Sequence, residues 1–263
     1  MKYAPHPRQI IRYRAPTRIN HWIVAICFVL TALSGLALFH PALFPLTQLF
    51  GGGPWTRILH PFIGLAMVVG FALLAFRMWR DNLPTADDRA WMRGMRDVLR
   101  NEDEKLPPVG RFNAGQKLLF WAIIGCLSAL LLTGFVIWRQ YFSHFFPIGV
   151  IRFSVLAHAL FGWVLVCAIV VHIYAAIWIK GSVRAMTQGK VTYGWAYKHH
   201  RQWFRDILRG RREEGNCRRR GGSGCGGRRK PVLGGLAAAS MPRTPPQPDP
   251  LRLRQFPAAV GMA

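Results

Sequence analysis

Four apolar runs constrain this chain more than any other feature. They extend from about Trp22 to Phe39, Ile58 to Phe76, Leu118 to Trp138 and Phe153 to Ile179. Each is close to the roughly 20 residues that a helix needs to cross the hydrocarbon core of a bilayer. The first, WIVAICFVLTALSGLALF, holds no charged residue. A cleaved signal peptide would have a shorter apolar core, a small-residue cleavage site and soluble sequence after it. Three further spans follow here, so the first is expected to be a membrane helix. Charged residues are only 17% of the 263, whereas a soluble domain carries about 25%. Apolar residues reach 51%, too many for a wholly disordered chain. The expectation is an all-α membrane protein built as a four-transmembrane-helix bundle.

The basic residues then give the bundle a direction. Five precede the first span (Lys2, Arg8, Arg12, Arg14, Arg18), and only Arg57 lies between spans one and two. Nine fall between spans two and three, two (Arg139 and Arg152) between spans three and four, and eighteen after Ile179. Loops rich in Lys and Arg stay on the cytoplasmic side, so both termini and the middle loop are expected inside and the two short links outside. The formal net charge of +24 is largely explained by this topology and the surrounding membrane lipid, and no nucleic-acid partner is expected. Small residues within the spans (Ser34, Gly35, Gly64, Gly70, Gly125, Gly134, Gly162) suit close helix packing or contact with a flat cofactor.

Outside the spans, the middle loop from Asp81 to Gln116 mixes seven acids with its bases, and a short surface helix is expected near Asp87 to Leu99. The chain divides into a membrane domain, 1–208, and a tail, 209–263. The tail contains RRRGGSGCGGRRK and SMPRTPPQPDP, compositions that cannot bury a core, so it is expected to be disordered. Five cysteines (Cys27, Cys126, Cys167, Cys217, Cys225) form no CxxC or CxxCH motif, which leaves a disulfide scaffold, a cysteine zinc site and covalent c-type haem without support.

Histidines carry the chemistry. His21 opens span one, His60 lies near the start of span two, and His158 and His172 both lie in span four. An ionisable residue inside a span is costly and usually faces the bundle interior, where it meets a partner. His158 and His172 are 14 residues apart, which leaves them about 40° apart around a helix and about 21 Å apart along it. One helix therefore presents two imidazoles to one interior at two depths. With the topology above, His60 lies level with His158 on the outer side, and His21 level with His172 on the inner side. Two imidazoles facing one another across a helix bundle form an axial ligand set for a non-covalently held b haem. Such an iron has no open position and would carry electrons without activating oxygen. Gly35, Gly64, Gly162, Phe62 and Trp163 are candidate neighbours of the porphyrin. A lone membrane histidine commonly serves an interhelical hydrogen bond, but four at matched depths point to metal. Zinc is disfavoured, because two imidazoles leave its tetrahedral shell incomplete. His6, His40, His144, His199 and His200 are expected to be solvated or interfacial.

Several segments carry a resemblance. RINHW (Arg18 to Trp22), RILHPF (Arg57 to Phe62), GRFNAGQK (Gly110 to Lys117), TGFVIWRQYF (Thr133 to Phe142), VIRFSVLAHA (Val150 to Ala159), VHIYAAIWIKGS (Val171 to Ser182) and AYKHHRQWFRD resemble the gamma subunit of respiratory formate dehydrogenase, a membrane cytochrome b. The likeness covers nearly all of residues 8 to 208, in the family's order and spacing, and the Gly-, Arg- and Pro-rich remainder departs from it.

The resemblance implies a bacterial inner-membrane subunit holding two haems b. His60 and His158 would ligate the periplasmic haem, and His21 and His172 the cytoplasmic one. An iron–sulfur beta subunit would deliver electrons that a molybdopterin or tungstopterin alpha subunit takes from formate, in a complex compatible with higher oligomers. A quinone, menaquinone or ubiquinone, would accept them near Asn113, Gly115, Gln116 and His172. Asn113 also suits a helix cap. Two other readings compete: the cytochrome b of a nickel–iron hydrogenase, and a haem-free anchor or transporter relaying protons through its histidines. No formate-oxidising site is expected on this chain, which has no cofactor fingerprint or cysteine cluster.

Overall fold

Four long helices span Ala15–Phe39 (α1), Gly53–Met78 (α2), Ala114–Ile137 (α5) and Ile148–Trp178 (α6). They come from a computed structural model, which describes residues 9–99 and 106–219. Each is long and apolar enough to cross a membrane, and each begins four to seven residues before the corresponding apolar run and covers it to within one residue of its end. The ends follow local chemistry. Pro16 sits in the first turn of α1, where its fixed φ suits helix entry. At the other end His40, held extended before Pro41, stops the helix, because proline drives its predecessor out of the α region. Asn113 and Gln116 cap α5 reciprocally: the Gln116 N–H donates to Asn113 Oδ1 at 2.8 Å and the Asn113 N–H to Gln116 Oε1 at 3.1 Å.

The helices pack chiefly as two hairpins, α1 with α2 and α5 with α6. Their outer surfaces are apolar and exposed: Phe76 is 80%, Leu156 72%, Ile177 67% and Leu132 66% exposed. An apolar surface of that extent suits lipid rather than water. The chain is thus a multi-pass membrane protein. Between the hairpins, Met67, Cys126, Leu127 and Leu165 are buried, with Val24, Phe28, Phe71, Leu130 and Phe161 packed around them.

One end of the bundle carries the short links: a run of 3-10 turns, Pro41–Phe50, and another at Ser143–Phe145. The opposite end gathers the remaining polar segments. Strand β1 (Gln9–Ile11) pairs antiparallel with β2 (Lys190–Thr192), with Ile10 opposite Val191. This two-stranded ribbon is an addition to the expected all-helical architecture. It is too short and too locally ordinary to be signalled by alternation. Gly189 permits the junction: its φ is +78°, and a Cβ there would lie 2.6 Å from the Tyr13 carbonyl oxygen, a contact only glycine avoids.

The expected surface helix of the middle loop is two helices, Ala86–Arg93 (α3) and Met95–Leu99 (α4), broken at Gly94. Trp91, Leu106 and Ala114 are buried together beneath them. Lys117 holds the loop down, donating to both Asp88 carboxylate oxygens at 2.8 and 3.0 Å and to Thr85 Oγ1 at 3.3 Å. After α6 come Ser182–Thr187 (α7), Tyr193–His199 (α8) and Arg201–Arg219 (α9). Helix α9 runs through the expected domain boundary at 208. The glycine- and proline-rich part of the tail lies outside the described residues.

Candidate functional site: two histidine pairs

The fold brings together the four intramembrane histidines in the pairs that depth matching gives. The rings of His60 (α2) and His158 (α6) have centroids 6.3 Å apart and planes at 67°. Those of His21 (α1) and His172 (α6) are 6.4 Å apart at 54°. A metal–imidazole bond is about 2.0 Å and a ring nitrogen about 1.1 Å from its ring centre, so two imidazoles sharing one metal from opposite sides would have centroids about 6.2 Å apart. Both pairs match that spacing without being in hydrogen-bond contact with each other. Among the described residues no three His, Cys, Asp or Glu side chains gather at one point, so neither pair belongs to a larger metal cluster.

Proton positions favour ligation at the outer pair. Ser34 Oγ donates to the Thr31 carbonyl at 3.1 Å and lies 2.8 Å from His60 Nδ1. Thr133 Oγ1 donates to the Ala129 carbonyl at 2.7 Å and lies 2.9 Å from His158 Nδ1. With each hydroxyl proton committed to a carbonyl, each oxygen accepts from the histidine, which places the proton on Nδ1 and frees Nε2 as a metal ligand. At the inner pair, His21 Nδ1 is buried without a hydrogen-bond partner among the described residues. At this level the ring spacing alone carries the fit. The residues therefore fit a haem at each level.

Two glycines lie against the rings of the outer pair. A Cβ on Gly35 would lie 3.2 Å from His60 Cε1, and one on Gly134 3.4 Å from His158 Cε1. These two glycines make room for the histidine rings. Gly162 meets nothing within 4 Å, and Gly64 only Thr31 Cγ2 at 3.8 Å. Phe62 packs edge-on to Trp138, and Trp163 edge-on to Phe39.

The profile of the prokaryotic cytochrome b561 family matches residues 12–189. The chain belongs to that family. The nitrate-inducible formate dehydrogenase cytochrome b556(Fdn) subunit of Escherichia coli strain K12 is 44% identical over 200 residues, covering 76% of this chain and 92% of that protein. The formate dehydrogenase cytochrome b556(fdo) subunit of the same strain is 46% identical over 198 residues, covering 75% and 93%. The formate dehydrogenase cytochrome b556 subunit of Haemophilus influenzae is 42% identical over 206 residues, covering 78% and 87%. This cytochrome is therefore grouped with formate dehydrogenase subunits, and a cytochrome b carries haem b.

At the polar end of the cytochrome, Asn113, Gly115 and Gln116 form the first turn of α5. Gly115 faces Trp91, whose ring a Cβ would approach to 3.4 Å. Each amide spends its carbonyl oxygen in the capping box, and its NH2 group has no acceptor among the described residues.

His200 corrects the expectation of a solvated role: it is only 2% exposed. Its Nδ1 is 2.9 Å from the Gly110 carbonyl and its Nε2 is 3.5 Å from Arg12 Nη2. Burial, then the adjacent Arg12 cation, holds it well below the ordinary histidine range. Arg12 is itself buried, donates to the Arg111 carbonyl, and stacks on Trp203 at 4.4 Å. Burial lowers its pKa as well. His40 and His144 are exposed, as expected; His199 is half-buried, and His6 lies outside the described residues. Sequence reasoning missed Ser34, Thr133 and the Arg12–His200 contact. The first two had a signal: a hydroxyl residue directly before a glycine within an apolar span.

Proposed function

We propose that this cytochrome is the electron-carrying membrane subunit of a formate dehydrogenase complex in a bacterial inner membrane. In this reading His60 and His158 hold one b haem, His21 and His172 a second, and a quinone is reduced on the cytoplasmic side. Electrons arrive from an iron–sulfur subunit, which receives them from a molybdopterin or tungstopterin subunit that oxidises formate. The observation that carries the reading is the spacing of the two histidine pairs, 6.3 and 6.4 Å, in a chain 42–46% identical to formate dehydrogenase cytochrome b556 subunits. When bound, each haem would supply a one-electron centre held by its histidine pair.

The protein's own residues do the remaining work. Leu165 lies seven residues from both His158 and His172, so the buried layer of Met67, Cys126, Leu127 and Leu165 separates the two pairs. Among the described residues that layer is apolar apart from the Cys126 thiol and holds no carboxylate or imidazole. Asn113 and Gln116 offer amide donors, and Gly115 a close backbone approach, at the polar end where a quinone carbonyl would be bound near His172. The excess of basic residues at that end supports reading it as cytoplasmic. Moving each charge across the membrane is then worth about 2.3 kcal/mol per 100 mV.

The test is spectroscopic and uses the complex purified from its native membrane. Formate should reduce its b-type bands, and a soluble quinone should reoxidise them. Gln116→Ala should slow reoxidation while reduction by formate persists. Unchanged quinone turnover would remove Gln116 from the site, and b bands indifferent to formate would refute the assignment.

A further inference from the structure

The outer and inner histidine pairs differ in one respect that their spacing hides. On the outer side, each ring is gripped by two consecutive residues of its hairpin partner helix. Ser34 and Gly35 of α1 hold His60 of α2; Thr133 and Gly134 of α5 hold His158 of α6. In both, the hydroxyl accepts from Nδ1 and the glycine lets the ring lie against the helix. The two hairpins thus repeat one device, a hydroxyl residue followed by glycine facing a histidine. The inner pair lacks it. His21 Nδ1 has no hydrogen-bond partner among the described residues.

We propose that Ser34 and Thr133 are positioning residues that set the redox asymmetry of the protein. By fixing the Nδ1–H tautomer and withdrawing its proton, they make Nε2 of His60 and His158 more basic and so hold the outer haem at a lower potential than the inner one. The sign follows from the ligand chemistry. An imidazole whose N–H donates a hydrogen bond gains electron density, which favours ferric over ferrous iron and lowers the potential. Electrons entering on the outer side therefore run downhill to the inner pair, where quinone is reduced. Ser34 is fully buried, so water does not compete for its bond to His60.

This inference rests on the haem-ligation reading above, and the experiment separates the two. The complex is purified from its native membrane, its haem is quantified, and both haems are titrated potentiometrically at the α band, with low-temperature electron paramagnetic resonance of the ferric form. Thr133→Val removes the acceptor at nearly constant volume, Ser34→Ala removes the other, and Thr133→Ser restores a hydroxyl. The expected result is two haems throughout, with the lower-potential component moving upward in Thr133→Val and Ser34→Ala and further in the double variant. The higher-potential component should not move, and Thr133→Ser should match the wild type. Two haems with unshifted potentials in the double variant would overturn the proposal and leave ligation intact. If Thr133→Val fails to retain the outer haem, Thr133→Ser decides: native content and potential support the hydroxyl's role, and loss there also overturns it. Wild-type protein lacking two b haems would instead overturn the underlying reading.

Discussion

Replacing Gly35 by alanine adds one methyl group beside the outer histidine pair, and the structure sets its consequence. The new Cβ would lie 3.2 Å from His60 Cε1 and 3.9 Å from Nδ1. Carbon atoms rest about 3.5–4.0 Å apart, so ring and helix must separate by about 0.3–0.8 Å. Metal–ligand distances hold to within about 0.2 Å, and Ser34, the adjacent residue, is fixed to the same ring at 2.8 Å. The ring cannot retreat without straining both attachments. Overpacking of this kind costs about 1–3 kcal/mol, equivalent to roughly 5- to 150-fold weaker retention of whatever His60 holds. Gly134→Ala is the internal comparison: at 3.4 Å from His158 Cε1 its methyl makes ordinary contact and should be tolerated with little loss. Gly64→Ala, whose nearest neighbour is Thr31 Cγ2 at 3.8 Å, should be silent. The assay is the haem-to-protein ratio after gel filtration, with the two components resolved in the reduced spectrum. Gly35→Ala should lose the outer component and retain the inner one. Full retention of both, at the wild-type dissociation rate, would show that Gly35 does not set the position of His60.

Other expectations concern the polar end. Asp88→Asn leaves Lys117, 9% exposed, without its counter-charge; the middle loop should lose about 1–3 kcal/mol and be cut faster in limited proteolysis, and an unchanged cleavage rate would contradict the pair's role. Asp88 is partly desolvated, which raises its pKa, but bonds from Lys117 and Thr85 outweigh this and depress it overall. Its contribution is therefore complete above about pH 4 and is lost as pH falls through the depressed folded value. His200 behaves oppositely: its folded pKa is lowered, so the unfolded chain takes up the proton first and stability falls as pH drops below about 6.5. His200→Gln should flatten that slope in thermal melts between pH 5 and 7, and an unaltered slope would assign it elsewhere. Asn113→Asp keeps the helix cap but removes the amide donor; native melting with slower quinone reduction is expected, and normal turnover would reduce Asn113 to a cap.

Much of the fold was legible because the bilayer demands it. An apolar run long enough to span announces its helix, and a histidine inside such a run announces a partner. Matching depths then paired His60 with His158 and His21 with His172 before any coordinates. What remained hidden depends on rotation and on contacts between distant segments. Whether Gly35 faces a ring or a porphyrin is decided by the crossing of α1 and α2, which hydropathy does not encode. Ser34 and Thr133 read as ordinary small residues until their hydrogen bonds to Nδ1 are seen. His200 sits among charged residues in a basic stretch, so its sequence neighbours suggest water. Its burial comes from Arg12 and Gly110, 188 and 90 positions away. The ribbon of β1 and β2 fails to show for the same reason, being three residues paired with three across the whole membrane domain.

The account depends most on each histidine pair gripping its own haem. Quantifying haem in the purified wild-type protein and in His158→Ala, with reduced-minus-oxidised spectra of both, tests this directly. Two b haems per chain in the wild type, and loss of the outer component alone in His158→Ala, are the results expected. Two intact haems in the variant, or fewer than two in the wild type, would contradict it.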